Sequence, residues 1–97
     1  MKGYLYILLC ADGSFYTGST NDLERRMKEH QAGEGANHTR KRLPVELVYW
    51  EEYPRIVLAY NREQQIKGWS REKKIALIEG RNGDLPELAK SYSRKRR

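Results

Sequence analysis

The chain reads as an α+β (α/β) protein: a three-stranded, mostly antiparallel sheet flanked by helices, in the order ββαβαα. Three observations predict it. An aromatic and β-branched run, Tyr4-Leu5-Tyr6-Ile7-Leu8-Leu9, is followed by the turn dipeptide Asp12-Gly13 and a second β-type run, Phe15-Tyr16-Thr17-Gly18. A loosely alternating segment, Val45-Glu46-Leu47-Val48-Tyr49-Trp50, lies well downstream. Around it, apolar residues recur at helical spacing.

The first run is apolar without alternation, so it reads as a strand buried on both faces. Asp12-Gly13 is a strong hairpin signal. Two arrangements fit. A two-residue loop pairs Leu9 with Tyr16 and sends Tyr6 and Tyr16 to opposite faces. A three-residue loop or a single bulge brings them to one face. Asn21 or Asp22 can cap the next helix, with Glu24 near its positive end. Leu23, Met27 and His30 share its inner stripe, and it runs to about Ala32 before Gly33 and Gly35. Residues 36–43 are polar and basic and read as a loop. The third strand follows and ends near Tyr53-Pro54. Ile56, Ala59, Tyr60, Glu63 and Ile66 then form one helical stripe, broken at Gly68. Ser70 can cap a last helix with its body over residues 72–78, and Gly80 and Gly83 close the regular structure. This gives one domain, residues 1–85, and a basic tail, residues 86–97, expected to stay disordered until an acidic partner orders it.

A chain of 97 residues has room for one modest core. No apolar run approaches the roughly 18 residues that span a membrane, and residues 4–9 are too short for a signal-peptide core. A cytoplasmic monomer is the expectation. Cys10 is the single cysteine, so no intrachain disulfide forms, and at the end of an apolar strand it reads as a small buried hydrophobe. One Cys and two His exclude a standard structural zinc site. The net charge of +6 is uneven. Residues 1–54 hold 7 Lys+Arg against 8 Asp+Glu, and residues 55–97 hold 12 against 5. A basic second half with pI ≈ 9.6 favours a polyanionic partner.

Charged residues stand where an amphipathic pattern calls for apolar ones. Arg26 falls among Leu23, Met27 and His30, and four residues separate it from His30, on the same helix face. Glu63 sits within the stripe of the second helix. A carboxylate there needs a cation, because burying an unpaired charge is costly. That cation is either a side chain, Arg26 or a lysine, or a metal.

Tyr4-Leu5-Tyr6, ten residues before Tyr16-Thr17-Gly18, resembles the paired GIY and YIG motifs of the GIY-YIG nuclease superfamily. Residues 23–30 (LERRMKEH) resemble the helix that follows them there, and residues 62–67 (REQQIK) its metal-site helix. The likeness covers about residues 3–85 and is strongest to small single-domain bacterial members. Residues 35–39 and 67–74 are also similar to theirs.

The resemblance implies roles. Tyr16 would orient or deprotonate the attacking water, and Tyr6 would position phosphate. Arg26 would support charge developing on the scissile phosphate. Glu63 would be the single carboxylate ligand of Mg²⁺ (or Mn²⁺), an ion that keeps most of its waters and polarises phosphate. His30 and His38 match polar positions lining the cleft. Asn82 is the candidate for an asparagine common near the end of the domain, although Gly83 follows where many relatives have proline. Arg25, Arg40, Lys67, Lys73, Lys74, Arg94, Lys95, Arg96 and Arg97 are the candidate nucleic-acid contacts. The motifs read YLY and YTG, and both retain the tyrosine.

The function so implied is a metal-dependent endonuclease or phosphodiesterase, acting on DNA more than RNA, with structural or weak selectivity, because so small a domain can read little sequence. Its alternatives are a nucleic-acid-binding module with the same fold and weak catalysis, or an adaptor whose tail docks on an acidic protein.

Overall fold

A computed structural model describes residues 1–80. The expected tail, Asn82, Gly83, Arg94, Lys95, Arg96 and Arg97 lie outside the described residues. The element order is β1 (Gly3–Cys10), β2 (Phe15–Thr20), α1 (Leu23–Gln31), α2 (Asn37–Arg40), β3 (Val45–Tyr53), α3 (Ile56–Lys67) and α4 (Arg71–Glu79). The sheet order is β2-β1-β3, and both pairings are antiparallel. Central β1 is covered on both faces, which explains its unbroken apolar run. Leu5 and Ile7 pack with Tyr49, Tyr53, Ala59, Ile66 and Leu77 beneath α3 and α4. Tyr6, Leu8, Cys10 and Val45 pack on the other face against Leu23 and Met27 of α1. Cys10 is buried, as its apolar setting predicts.

The hairpin uses a three-residue loop. Leu9 pairs with Phe15 and Leu8 with Tyr16. Gly13 donates to the Cys10 carbonyl, Cys10 to that of Ser14, and Gly13 carries φ +87°. A left-handed residue at this point closes the loop at little cost only if it is glycine. The outcome is that Tyr6 and Tyr16 share a face.

A second irregularity acts on β3. Ile7 pairs with Tyr49 but Leu8 pairs with Leu47, so Val48 is an extra residue. Val45 and Leu47 therefore face α1, whereas Tyr49, Glu51 and Tyr53 face α3. This bulge is why alternation along the segment is only loose.

The caps follow local chemistry. The Asp22 carboxylate accepts from Arg25 N–H, and the Ser70 hydroxyl from Lys73 N–H. Two expectations change. Residues 37–40 form one helical turn rather than loop. A single turn is too short to show periodicity, and it is held from outside, by Thr39 packing into the interior. On α3, Tyr60 is 52% exposed, and the inward positions include Arg62, 7% exposed. Arg62 Nε lies 3.1 Å from Oε1 of Glu51, which is fully buried. Tyr49 and Tyr53 donate to the same carboxylate at 2.5 and 2.7 Å. No helix among the described residues is long and apolar enough to cross a membrane.

Two stability changes are expected in urea denaturation. Glu51→Ala leaves the Arg62 charge buried without its carboxylate and should destabilise by about 3–5 kcal/mol. The Thr17 hydroxyl is buried and makes no hydrogen bond, so Thr17→Val should stabilise by about 1 kcal/mol. A loss of stability in Thr17→Val would contradict the second assignment.

Candidate active site

Tyr6 enters the site from the centre of β1. It is 1% exposed, and its ring centroid lies 6.4 Å from that of Tyr16. Gly18, paired directly with Tyr6, admits this placement. A Cβ at Gly18 would come within 2.5 Å of the Tyr6 hydroxyl oxygen. The glycine of the second motif is thus required by the tyrosine of the first.

The Tyr6 hydroxyl meets His30 Nε2 at 2.9 Å, and His30 Nδ1 meets Thr39 Oγ at 2.9 Å. Thr39 gives its hydroxyl proton to the Ala36 carbonyl. His30 must therefore donate from Nδ1 to Thr39 and accept at Nε2 from Tyr6. Burial, with the Arg26 charge nearby, pushes the His30 pKa down to about 4. Burial likewise pushes the Tyr6 pKa up to about 12, against the opposing pull of Arg26. At neutral pH the pair is a neutral imidazole and a protonated phenol that donates to it. His30 is fully buried behind Tyr6; the resemblance had implied that it lines the cleft. The core leaves it no route to solvent once Thr39 and Tyr6 have closed over the ring.

Tyr16 is less buried than Tyr6 and is stacked by His38, with centroids 6.1 Å apart and planes at 25°. His38 is itself held from below. Its Nε2 lies 2.9 Å from Ser14 Oγ, which donates to Asp12 at 2.6 Å. Asp12 accepts from Arg42 at 2.9 Å, and Arg42 also bonds the His38 carbonyl. Hydrogen bonds from Ser14, joined by Arg42, pull the Asp12 pKa down to about 2. The hairpin tip and the α2 turn are thereby fastened around one tyrosine.

Arg26 is partly exposed and its Nη1 bonds Glu29 at 2.9 Å. It also stands beside the Tyr6 hydroxyl, and Glu29 and Tyr6 together make the guanidinium hold its proton more tightly. Glu63 comes from α3, on the other side of the sheet. It is 8% exposed. Ser19 donates to its Oε1 at 2.6 Å, and Lys67 Nζ lies 2.7 Å from its Oε2. Of the cation partners left open by the sequence, the structure thus pairs Glu63 with a lysine and not with Arg26. β2 is an edge strand, and the two sides meet across it. The Glu63 charge is felt at the Tyr6 hydroxyl, and the Tyr16 phenol at Lys67.

No group of three or more His, Cys, Asp or Glu able to hold a metal occurs among the described residues. Glu63 and the Ser19 hydroxyl offer hard oxygen donors only. That set suits Mg²⁺ or Mn²⁺ retaining most of its waters and does not suit zinc.

The candidate phosphate contacts are dispersed. Arg25, Arg40, Lys67 and Lys73 are exposed and Lys74 is half-buried, its pKa lowered by burial. Lys73 Nζ lies 4.4 Å from the Trp69 ring centroid, and the Arg71 guanidinium 4.5 Å from that of Phe15. Sequence patterns missed Ser14, Ser19, Glu29 and Thr39. Only Glu29 left a local signal, an acid three residues after Arg26. An open cavity lined by Tyr4, Leu23, Met27 and Leu47, with Asn21, Asp22, Glu24 and Lys28 at the polar side, sits beside the start of α1 and contains none of the candidate catalytic groups.

The chain is similar to known proteins in sequence and fold. Residues 2–76 match the GIY-YIG catalytic domain. A UPF0213 protein of Streptococcus sanguinis is 50% identical over 80 residues, covering 82% of this chain and 92% of the relative. One from Haloquadratum walsbyi is 53% identical over 76 residues, or 78% and 85% of the two chains. The solution NMR structure of a UPF0213 protein from Bacillus halodurans superposes with a TM-score of 0.55 at 44% identity, over 87% of this chain and 89% of that one.

His30 makes stability depend on acid. The unfolded imidazole binds its proton near pH 6.5, the folded one only near pH 4. Between those values the unfolded state holds more protons, so stability is full above pH 6.5, falls through the window and levels off below it. At about 1.4 kcal/mol per pKa unit the loss is on the order of 3 kcal/mol. Urea midpoints from pH 8 to 4 should show a decline that His30→Gln flattens. Parallel curves would remove His30 as its source.

Proposed function

The chain belongs to the GIY-YIG catalytic-domain family, and from that premise we propose that it is a metal-dependent endonuclease that hydrolyses phosphodiester bonds in nucleic acid, DNA more than RNA. One observation carries the reading. Tyr6, Tyr16 and Arg26 stand on one side of the sheet, and Glu63 is held at edge strand β2 from the other by Ser19, near enough for its charge to act on Tyr6. An edge strand leaves room for a polymer to pass.

Tyr16, the less buried phenol, accepts a hydrogen bond from the attacking water and orients it toward the phosphate. Tyr6 serves differently. With its proton committed to His30, its oxygen has no donor left for phosphate, and it positions the scissile phosphate through Arg26, whose guanidinium it holds. His38 stacks on Tyr16 and restricts its ring to one orientation. Arg26 is anchored by Glu29 and turns its remaining donors toward the negative charge that grows on the phosphate. Preorganised donors of this kind act without reorganisation at the moment of reaction. Glu63, aimed by Ser19, would hold the Mg²⁺ or Mn²⁺ ion. When bound, that ion supplies a Lewis acid for the phosphate and the leaving oxygen. Arg25, Arg40, Lys67, Lys73 and Lys74, with the basic residues 94–97, hold the backbone without reading bases, so binding falls steeply with salt.

The test is cleavage of single-stranded, duplex, flapped and branched DNA, and of RNA, in Mg²⁺, Mn²⁺ or EDTA. Wild type should cut only with metal. Glu63→Ala should bind but not cut, and Arg26→Ala should lose roughly 10²–10³-fold in kcat. Salt-sensitive binding with no cleavage by wild type would instead make the chain a binding module.

A further inference from the structure

The two ion pairs on α3 are built differently. Arg62 and Glu51 have side chains 7% and 0% exposed. The guanidinium meets both carboxylate oxygens, and two tyrosines complete the shell. No exchange is possible there without opening the core. Lys67 and Glu63 share one i,i+4 step of the same helix, but their side chains are 49% and 10% exposed. Here the carboxylate is withdrawn and the cation is not.

The two oxygens of Glu63 meet partners of different kinds. Oε1 receives the Ser19 hydroxyl at 2.6 Å, which aims the carboxylate. Oε2 receives the Lys67 ammonium at 2.7 Å, which neutralises it. A buried carboxylate is costly to leave unpaired, so a cation beside it is favoured whether or not a metal is bound. Lysine suits a provisional one. Its charge is compact, its stem has four carbons and flexes freely, and it makes no bidentate fork to surrender. Lys67 is also the last residue of α3, followed by Gly68, so its side chain is not walled in by a further helical turn.

We infer that Lys67 is a placeholder cation: it occupies Oε2 and offsets the Glu63 charge while no metal is bound, and it gives up Oε2 to the divalent ion. This rests on Glu63 being the metal ligand. An ammonium and a divalent ion repel when they share one oxygen, so Lys67 must withdraw, and its exposed side chain has solvent to withdraw into. The lysine is thus a positioning residue with two stations, beyond a plain backbone contact.

The test is metal binding by the full chain without nucleic acid, with Mn²⁺ followed by electron paramagnetic resonance and Mg²⁺ by calorimetry. Lys67→Met keeps the stem and removes the charge. It should bind metal about tenfold more tightly, the order expected from deleting one competing unit charge at contact distance. Lys67→Arg should stay within about twofold of wild type, since the competing charge remains. Equal or weaker binding by Lys67→Met would overturn the inference. Glu63→Gln separates the two assignments. If it binds as tightly as wild type, the ligand assignment itself has failed. Should Lys67→Met not fold by circular dichroism, the wild type still decides. Added Mg²⁺ should shift the NMR signals of both the Glu63 carboxylate and the Lys67 ε-methylene. A carboxylate that shifts while Lys67 stays still would overturn the placeholder role.

Discussion

Glu51 and Arg62 are withdrawn from solvent together, and the rotation of α3 follows from that. A guanidinium in the core cannot turn away from its carboxylate without leaving two charges unpaired, which costs several kcal/mol. With Tyr49 and Tyr53 closing the shell, Arg62 has a single place to point. Glu63 is the next residue, about 100° around the helix. Once Arg62 is pinned under the sheet, Glu63 is directed to the edge at β2, where Ser19 receives it. The core ion pair takes no part in the proposed chemistry, yet it aims the carboxylate on which that proposal depends.

Charge and burial are distributed differently on the opposite face. Tyr6, His30 and Thr39 form a line of neutral donors and acceptors ending at the Ala36 carbonyl. Each proton has one direction to go, so the line is rigid without any charge to solvate. Around Tyr16 the support is ionic and nearer to water: Asp12, Arg42, Ser14 and His38. The two tyrosines therefore sit in contrasting surroundings, one insulated and one accessible. The different tasks proposed for the two phenols rest on that contrast.

The two acidic residues that matter on α3 and β3 illustrate a division between fixed and exchangeable pairing. Glu51 is satisfied by arginine and tyrosines that cannot leave. Glu63 is satisfied by a serine that aims it and a lysine whose other side is solvent. Burial sets this difference, since both pairs join a carboxylate to a basic side chain at about 3 Å. A site that must accept an ion benefits from the second arrangement, and a helix that must not rotate requires the first.

By itself the sequence determined the elements, because their signals are local. Asp22 and Ser70 cap the helices that follow them, Asp12-Gly13 turns the hairpin, and the apolar run of β1 announces a strand covered on both sides. Tyr6, Tyr16, Arg26 and Glu63 were legible as candidates, through motif order and through charge placed on an apolar stripe. Tertiary structure decided how these meet. Asp12-Gly13 is compatible with two loop lengths, and only pairing along the whole of β1 selects the three-residue loop that brings Tyr6 and Tyr16 to one face. The bulge at Val48 turns Glu51 inward, and no local rule announces it, because the residue is extra only relative to β1. Arg62 took an inward place expected for Tyr60, since helical periodicity places apolar groups and does not anticipate a buried carboxylate on another strand. The Ser19 contact with Glu63 spans 44 residues. Propensity and capping act over three or four residues, whereas these choices are made by packing between distant segments, and no window of sequence contains both partners.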